Sequence, residues 1–170
     1  LPIIIRGTIG WFKSEPLGIF YGLLGLYFFL SAIKSENKKI AALKIISGGI
    51  VMAFGMASWG GNQFFIIPLG LFILALPFVK KNNVSLLWII PLFTITFLLI
   101  LSLFERPGVN FVFGLGGISL IIPTVFLMGC IFIQKMSKDK NKIKNSLFLL
   151  ISIIIIGSFS IFVYDATDKE

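Results

Sequence analysis

Six apolar runs of membrane-spanning length, joined by short polar connections, constrain the fold of this chain more than any other feature. About twenty apolar residues carry an α-helix across the hydrocarbon core of a bilayer. Backbone groups in lipid must be hydrogen bonded inside the protein, which favours helices over open strands. The chain is strongly apolar, and only 13% of its residues are charged, which is too few for a soluble globular domain. We therefore predict an all-α fold, a polytopic transmembrane helix bundle with spans at about 16–33, 40–58, 62–79, 84–104, 111–134 and 147–164.

The first residues indicate that the chain is an internal fragment of a longer protein. Residues 1–5 are Leu-Pro-Ile-Ile-Ile, with neither an initiator methionine nor a charged segment, so they are not typical of a signal peptide. We interpret them as the tail of a preceding hydrophobic helix. Residues 6–15 then form a polar loop before the first span, and residues 1–170 are predicted to be one part of a larger transmembrane domain.

The polar connections alternate in charge along the chain, and this alternation predicts their orientation. Loops rich in lysine and arginine stay on the cytoplasmic side of a membrane. One set of connections holds most of the basic residues: Lys34, Lys38, Lys39, Lys44, Lys80, Lys81, Lys135, Lys138, Lys140, Lys142 and Lys144. The other set holds few basic and several acidic residues: Arg6, Lys13, Arg106, Lys169, Glu15, Glu105, Asp165, Asp168 and Glu170. We predict an integral protein of the cell membrane with the lysine-rich loops cytoplasmic and residues 6–15 external, and no nucleic-acid partner despite the net charge of +8.

Glu15 and Pro16 mark the predicted start of the first span and have two interpretations. Proline suits the first turn of a helix, and a carboxylate there complements the helix dipole. Glu15 is also a candidate ligand for a metal or a substrate on the external side. The absence of histidine and the single cysteine, Cys130, exclude a zinc pattern and an intrachain disulfide. A metal would therefore need oxygen ligands, which suit magnesium, manganese or calcium.

Two external connections contain the other candidate residues. Trp59-Gly60-Gly61 is either an interfacial tryptophan anchor with a glycine turn or an aromatic platform for a sugar or lipid headgroup, with Gln63 beside it. Arg106 lies in a charged turn that is either a solvated loop or a phosphate-binding site, because guanidinium matches phosphate oxygens. The glycines within the spans are predicted to permit close helix packing.

The run from Arg6 to Pro16, followed by two spans and Trp59-Gly60-Gly61, resembles the catalytic subunit of oligosaccharyltransferase, especially its archaeal forms. In that family an Arg-x-x-x-Gly-x-Tyr/Phe-Asp-x-Glu stretch in an external loop precedes a pair of spans that ends in Trp-Gly-Gly. Glu15 falls on the second acidic position of the stretch. The first acidic position is occupied by Lys13, a departure that indicates a shifted motif, a lysine that contacts donor phosphates, or an altered activity.

The resemblance implies a GT-C-type membrane glycosyltransferase that transfers a dolichol-linked oligosaccharide to the asparagine of Asn-x-Ser/Thr sequons. It implies Mn²⁺ or Mg²⁺ as cofactor, with Glu15 as a metal ligand and Trp59, Gln63, Arg106 and Lys13 as donor-binding residues. The partners would be the lipid-linked oligosaccharide donor, an acceptor polypeptide and membrane lipids. No catalytic residue is assigned within the chain, and the fragment alone is expected to be inactive, because the family's other acidic loops and its Trp-Trp-Asp motif are not in it.

Two alternatives stay open. The first is another GT-C enzyme, one that moves a single sugar from a polyprenyl phosphate. The second is a non-catalytic membrane scaffold or transporter subunit. Apart from Lys44 near a lysine-side end, no predicted span has an ionisable group near its centre, which argues against an ion-coupled transporter.

Overall fold

The computed structural model describes residues 14–79, 86–136, 147 and 149–151. These residues are 89% helical and include no strand, which confirms the predicted all-α fold. The helices are α1 Ser14–Ile33, α2 Lys38–Ser58, α3 Gln63–Val79, α4 Leu86–Ser102, α5 Asn110–Phe113 and α6 Leu115–Met136. A 3₁₀ turn, Gly60–Asn62, joins α2 to α3.

Four segments within the described residues are long and apolar enough to cross a membrane: Ser14–Ile33, Lys38–Ser58, Gly60–Val79 and Leu115–Ile133. By length and composition these make the chain a membrane protein. The predicted count of six spans is not confirmed. Of the fourth predicted span, 84–104, residues 84 and 85 lie outside the described residues and α4 covers 17 of the others. Most of the sixth, 147–164, also lies outside the described residues.

The fifth predicted span, 111–134, contains a break that the sequence prediction did not include. Gly114 has extended backbone angles, φ −81° and ψ 174°, and separates the short helix α5 from α6. Its N–H donates to the carbonyls of Asn110 and Phe111, which closes the short helix. The long helix therefore begins at Leu115.

Close approach of backbones determines the order of the helices. α2 lies between α1 and α4, while α3 packs along α6. A Cβ atom added at Gly25 would come within 3.3 Å of the Gly48 carbonyl, at the crossing of α1 and α2. At the crossing of α3 and α6, a Cβ added at Gly70 would collide with the Ser119 carbonyl. The glycines thus perform the packing role predicted for them.

The core combines aliphatic side chains with phenylalanine rings, and a buried pair of threonines lies within it. Phe29 of α1 meets Phe93 of α4 edge to face, with ring centroids 4.9 Å apart. Thr94 of α4 and Thr124 of α6 share a buried hydrogen bond of 2.9 Å between their hydroxyl oxygens. Such bonds stabilise contacts between helices in lipid. The opposite face of α1 exposes large apolar side chains, as a lipid-facing surface does: Leu17, Phe20, Leu23, Tyr27 and Leu30.

Candidate functional site

The start of α1 and the end of α2 lie at the same end of the bundle, which we call the tryptophan end. A connection of residues 34–37 joins the two helices as an antiparallel pair. A Cβ atom added at Gly18 would lie 2.6 Å from the Trp59 Cβ and 3.2 Å from its Cε3. Since Gly18 is one helical turn from Glu15, Trp59 packs beside the turn that carries the candidate metal ligand.

The two glycines after Trp59 have different roles. A Cβ atom added at Gly61 would collide with the indole ring, so only glycine lets the ring lie against this part of the backbone. Gly60, in contrast, is exposed and has no atom within 4 Å of the position its Cβ would take. The indole is therefore held between Gly18 and Gly61, and its side chain is half-buried. This close packing fixes the ring in one place at the tryptophan end.

Gln63 and Asn62 follow the turn but have different environments. Gln63 is the first residue of α3 and is partly exposed at the tryptophan end. Asn62 is 0% exposed and lies between Gly22 of α1 and Gly55 of α2. Neither its amide nitrogen nor its amide oxygen has a hydrogen-bond partner among the described residues. The helix crossing therefore encloses Asn62, whereas Gln63 next to it reaches the surface.

Arg106 lies in the turn that follows α4, also at the tryptophan end. The Phe104 ring of this turn contacts the Phe54 ring of α2 edge to face, with centroids 5.4 Å apart. Phe54 is little more than one helical turn before Trp59. Glu105 and Arg106 are exposed. The turn requires Gly108, which has a positive φ of 64° and carbonyls of the turn 3.2 Å from where a Cβ would lie.

The structure thus brings four of the predicted site residues to one end of the bundle: Glu15, Trp59, Gln63 and Arg106. Lys13 and most of the loop at residues 6–15 lie outside the described residues. Within the described ranges no group of three or more histidine, cysteine, aspartate or glutamate residues gathers as a metal site would. Glu15 itself is half-buried at the first turn of α1.

A second polar site, at the opposite end of α1 and α2, was missed by sequence reasoning. There Lys44 of α2 donates a hydrogen bond of 2.8 Å from its Nζ to the Ser31 hydroxyl of α1. The sequence did contain a signal, since Lys44 interrupts an apolar run, but it was interpreted only as a marker of topology.

A comparison of the chain with protein-family models, with curated proteins and with solved structures gave no match.

Proposed function

We propose that this chain is part of the transmembrane domain of a membrane oligosaccharyltransferase catalytic subunit. The enzyme would transfer a dolichol-linked oligosaccharide to the asparagine of Asn-x-Ser/Thr sequons. One observation carries the proposal: Trp59 packs on Gly18, one turn from Glu15. Glu15, the acidic residue of the stretch that the structure describes, and the Trp-Gly-Gly turn therefore lie close together in space, although two helices separate them in the sequence.

The residue types at the tryptophan end suit a phosphate-linked sugar donor. Arg106 is exposed and can bind two phosphate oxygens through its planar guanidinium. Trp59 offers an aromatic edge that its glycine neighbours keep in place, and Gln63 offers an amide to sugar hydroxyls. Lys13 is assigned to the same donor phosphates on sequence alone.

Glu15 is proposed as one ligand of Mn²⁺ or Mg²⁺, which both prefer oxygen ligands. Its carboxylate supplies oxygen atoms of the kind these ions bind, and the other ligands would come from residues beyond the described ranges. A divalent cation bound there would supply charge stabilisation at the donor phosphate. The chain's own contribution is to hold the carboxylate at the first turn of a membrane-spanning helix, beside the packed indole.

The proposed orientation places this chemistry on the external side. The lysine-rich connections would remain cytoplasmic by the positive-inside rule. The tryptophan end, with Glu15, Glu105 and Arg106, would then face the external solution, where an acceptor polypeptide could approach.

The test is the substitution Glu15→Gln in the full-length protein, with Glu36→Gln as the matched control. Glu36 is an exposed carboxylate in the connection at the opposite end of α1. Purified variants would be given a lipid-linked oligosaccharide, Mn²⁺ and a fluorescent peptide containing Asn-x-Thr, and glycopeptide would be measured by gel shift. We expect Glu15→Gln to lower the transfer rate by about a hundredfold or more, because a metal's charge stabilisation is worth several kcal/mol, and Glu36→Gln to leave it unchanged.

Two results would contradict the proposal. Unchanged transfer by Glu15→Gln would return Glu15 to a helix-start role. A wild-type enzyme that moves sugar to an acceptor other than the peptide would favour another GT-C transferase.

One result would support the metal site directly. It is a higher Mn²⁺ concentration needed for half-maximal transfer by Glu15→Gln than by wild type.

A further inference from the structure

A groove lies between α1 and α2 at the end of the bundle opposite to Trp59, which we call the lysine end. Its volume is about 400 Å³. It is lined by side chains from the last turns of α1, the connection that follows, and the second turn of α2: Tyr27, Leu30, Ser31, Lys34, Ser35 and Lys44. The lining residues therefore carry two ammonium groups and three hydroxyl groups, two of them from serine and one from Tyr27.

Lys44 is the best-positioned cation of the groove. Its side chain is half-buried, and its Nζ donates to the Ser31 hydroxyl at 2.8 Å. A lysine ammonium has three donors, so this bond orients the group and uses only one of them. The apolar stem of lysine packs along the helices while the charge stays at the polar end. Lys34, at the end of α1, is exposed and contributes the second charge.

The electrostatic surroundings of the groove favour an anion. The segment 34–44 contains four lysines and one glutamate, Glu36, a balance of +3 (four minus one). Helix α2 begins at Lys38, so the positive end of its dipole also lies here. The N-cap Asn37 accepts the Lys39 backbone N–H at 2.9 Å, which fixes where that helix begins.

One wall of the groove is apolar and faces the region where lipid would lie. The Tyr27 side chain is 64% exposed and Leu30 is 47% exposed. They continue an apolar face along α1 that includes Leu23 and Phe20. A free phosphate ion would gain nothing from this wall, whereas the chains of a lipid would pack along it.

We propose that this groove binds the phosphate of an anionic phospholipid. The phosphodiester oxygens accept hydrogen bonds from Lys34, Lys44 and the Ser31 hydroxyl, and the lipid chains lie against Tyr27 and Leu30. The lipid belongs to the leaflet on the lysine side of the membrane. It holds the ends of α1 and α2 together at a distance from the proposed transfer site.

The experiment is a lipid titration of the full-length protein in neutral detergent, followed by native mass spectrometry. The probes are phosphatidylglycerol and the zwitterionic phosphatidylcholine. The test variant is K34Q/K44Q, and the matched control is K38Q/K39Q, which removes the same charge from exposed lysines that do not line the groove. The third variant, S31A, keeps both lysines and removes the hydroxyl that orients Lys44.

We expect wild type to bind phosphatidylglycerol more tightly than phosphatidylcholine. A lysine near an anionic lipid contributes about 1 kcal/mol, so K34Q/K44Q should weaken phosphatidylglycerol binding about thirtyfold. S31A should weaken it a few-fold. K38Q/K39Q should change it by no more than the few-fold effect of exposed charges. Circular dichroism should show unchanged helix content in all variants.

Three outcomes would overturn the proposal. Equal weakening by the two double variants would show general attraction to charge and no groove site. Equal binding of the two phospholipids would exclude recognition of an anionic headgroup. Displacement of bound lipid by millimolar inorganic phosphate would identify a free-phosphate site, in which the apolar wall has no role. Because glycan transfer is not measured, failure here leaves the proposed function untouched.

Discussion

The hydrogen bond between Thr94 and Thr124 should couple α4 to α6 by a measurable free energy. The bond is 2.9 Å long, and both residues are buried, with Thr94 4% and Thr124 6% exposed. Valine has the shape of threonine without the hydroxyl, so Thr94→Val leaves the Thr124 hydroxyl buried without its partner. That loss costs about 1–2 kcal/mol in the free energy of unfolding, and Thr124→Val should cost the same.

The double variant distinguishes the bond from the cavity or packing effects of each substitution. With both hydroxyls replaced, no buried group is left unsatisfied, and the double variant should be destabilised by less than the sum of the two single variants. We expect a coupling free energy of about 0.6 kcal/mol and no more than about 1.7 kcal/mol, the average and the maximum for such bonds between membrane helices. Thr96→Val on the same helix is the control and should change stability by less than about 0.5 kcal/mol, because its methyl carbon packs towards Gly49 and valine keeps that methyl.

The assay is reversible unfolding in mixed micelles as the fraction of SDS is raised, followed by tryptophan fluorescence and circular dichroism. Thr94→Ser and Thr124→Ser keep the hydroxyls and should keep the coupling. A coupling below about 0.2 kcal/mol, with additive single effects, would refute the argument that this bond joins the helices.

Two further predictions concern glycines. Gly70→Ala should lower the free energy of unfolding by about 1–2 kcal/mol, since overpacking against the fixed Ser119 carbonyl outweighs the better helix propensity of alanine, whereas Gly60→Ala, in open space, should have no measurable effect in the same micelle assay. Gly61→Ala should displace the Trp59 indole. Under the proposed function it should slow glycan transfer by the full-length protein by about tenfold or more, with Gly60→Ala as control, and equal rates would mean that the ring position does not matter to the proposed donor.

Hydropathy predicted the first three helices well because their ends coincide with strong polar signals. Lysines and Asn37 separate α1 from α2, and Trp59-Gly60-Gly61 separates α2 from α3. The predicted bounds differ from the observed ones by no more than two residues at either end of these three helices.

The fourth and fifth spans were predicted less well, for reasons that hydropathy does not capture. Leu103 and Phe104 are apolar and extended the predicted fourth span, yet they belong to the turn after α4. The Phe104 ring packs on Phe54, a contact between distant parts of the sequence, so its apolar character serves this contact and does not extend the helix. Gly114 breaks the fifth span through its backbone conformation, which hydropathy does not register.

The candidate site was only partly predictable. The residue types of Glu15, Trp59 and Arg106 could be selected from the sequence because polar and aromatic groups stand out in an apolar chain. The packing of Trp59 on Gly18 and the enclosure of Asn62 depend on the register of α1 against α2, which no single-sequence pattern gives. The bond from Lys44 to Ser31 depends on the same register, so the groove at the lysine end was not predicted.

The contact between Phe104 and Phe54 has a consequence for the mobility of the turn after α4. The two rings meet edge to face with centroids 5.4 Å apart, so the turn is attached to α2 as well as to α4. A loop that is fixed at a point between its ends has fewer conformations available than one fixed only at its ends. The backbone amides of this turn should therefore exchange their hydrogens more slowly than those of a loop without such an attachment.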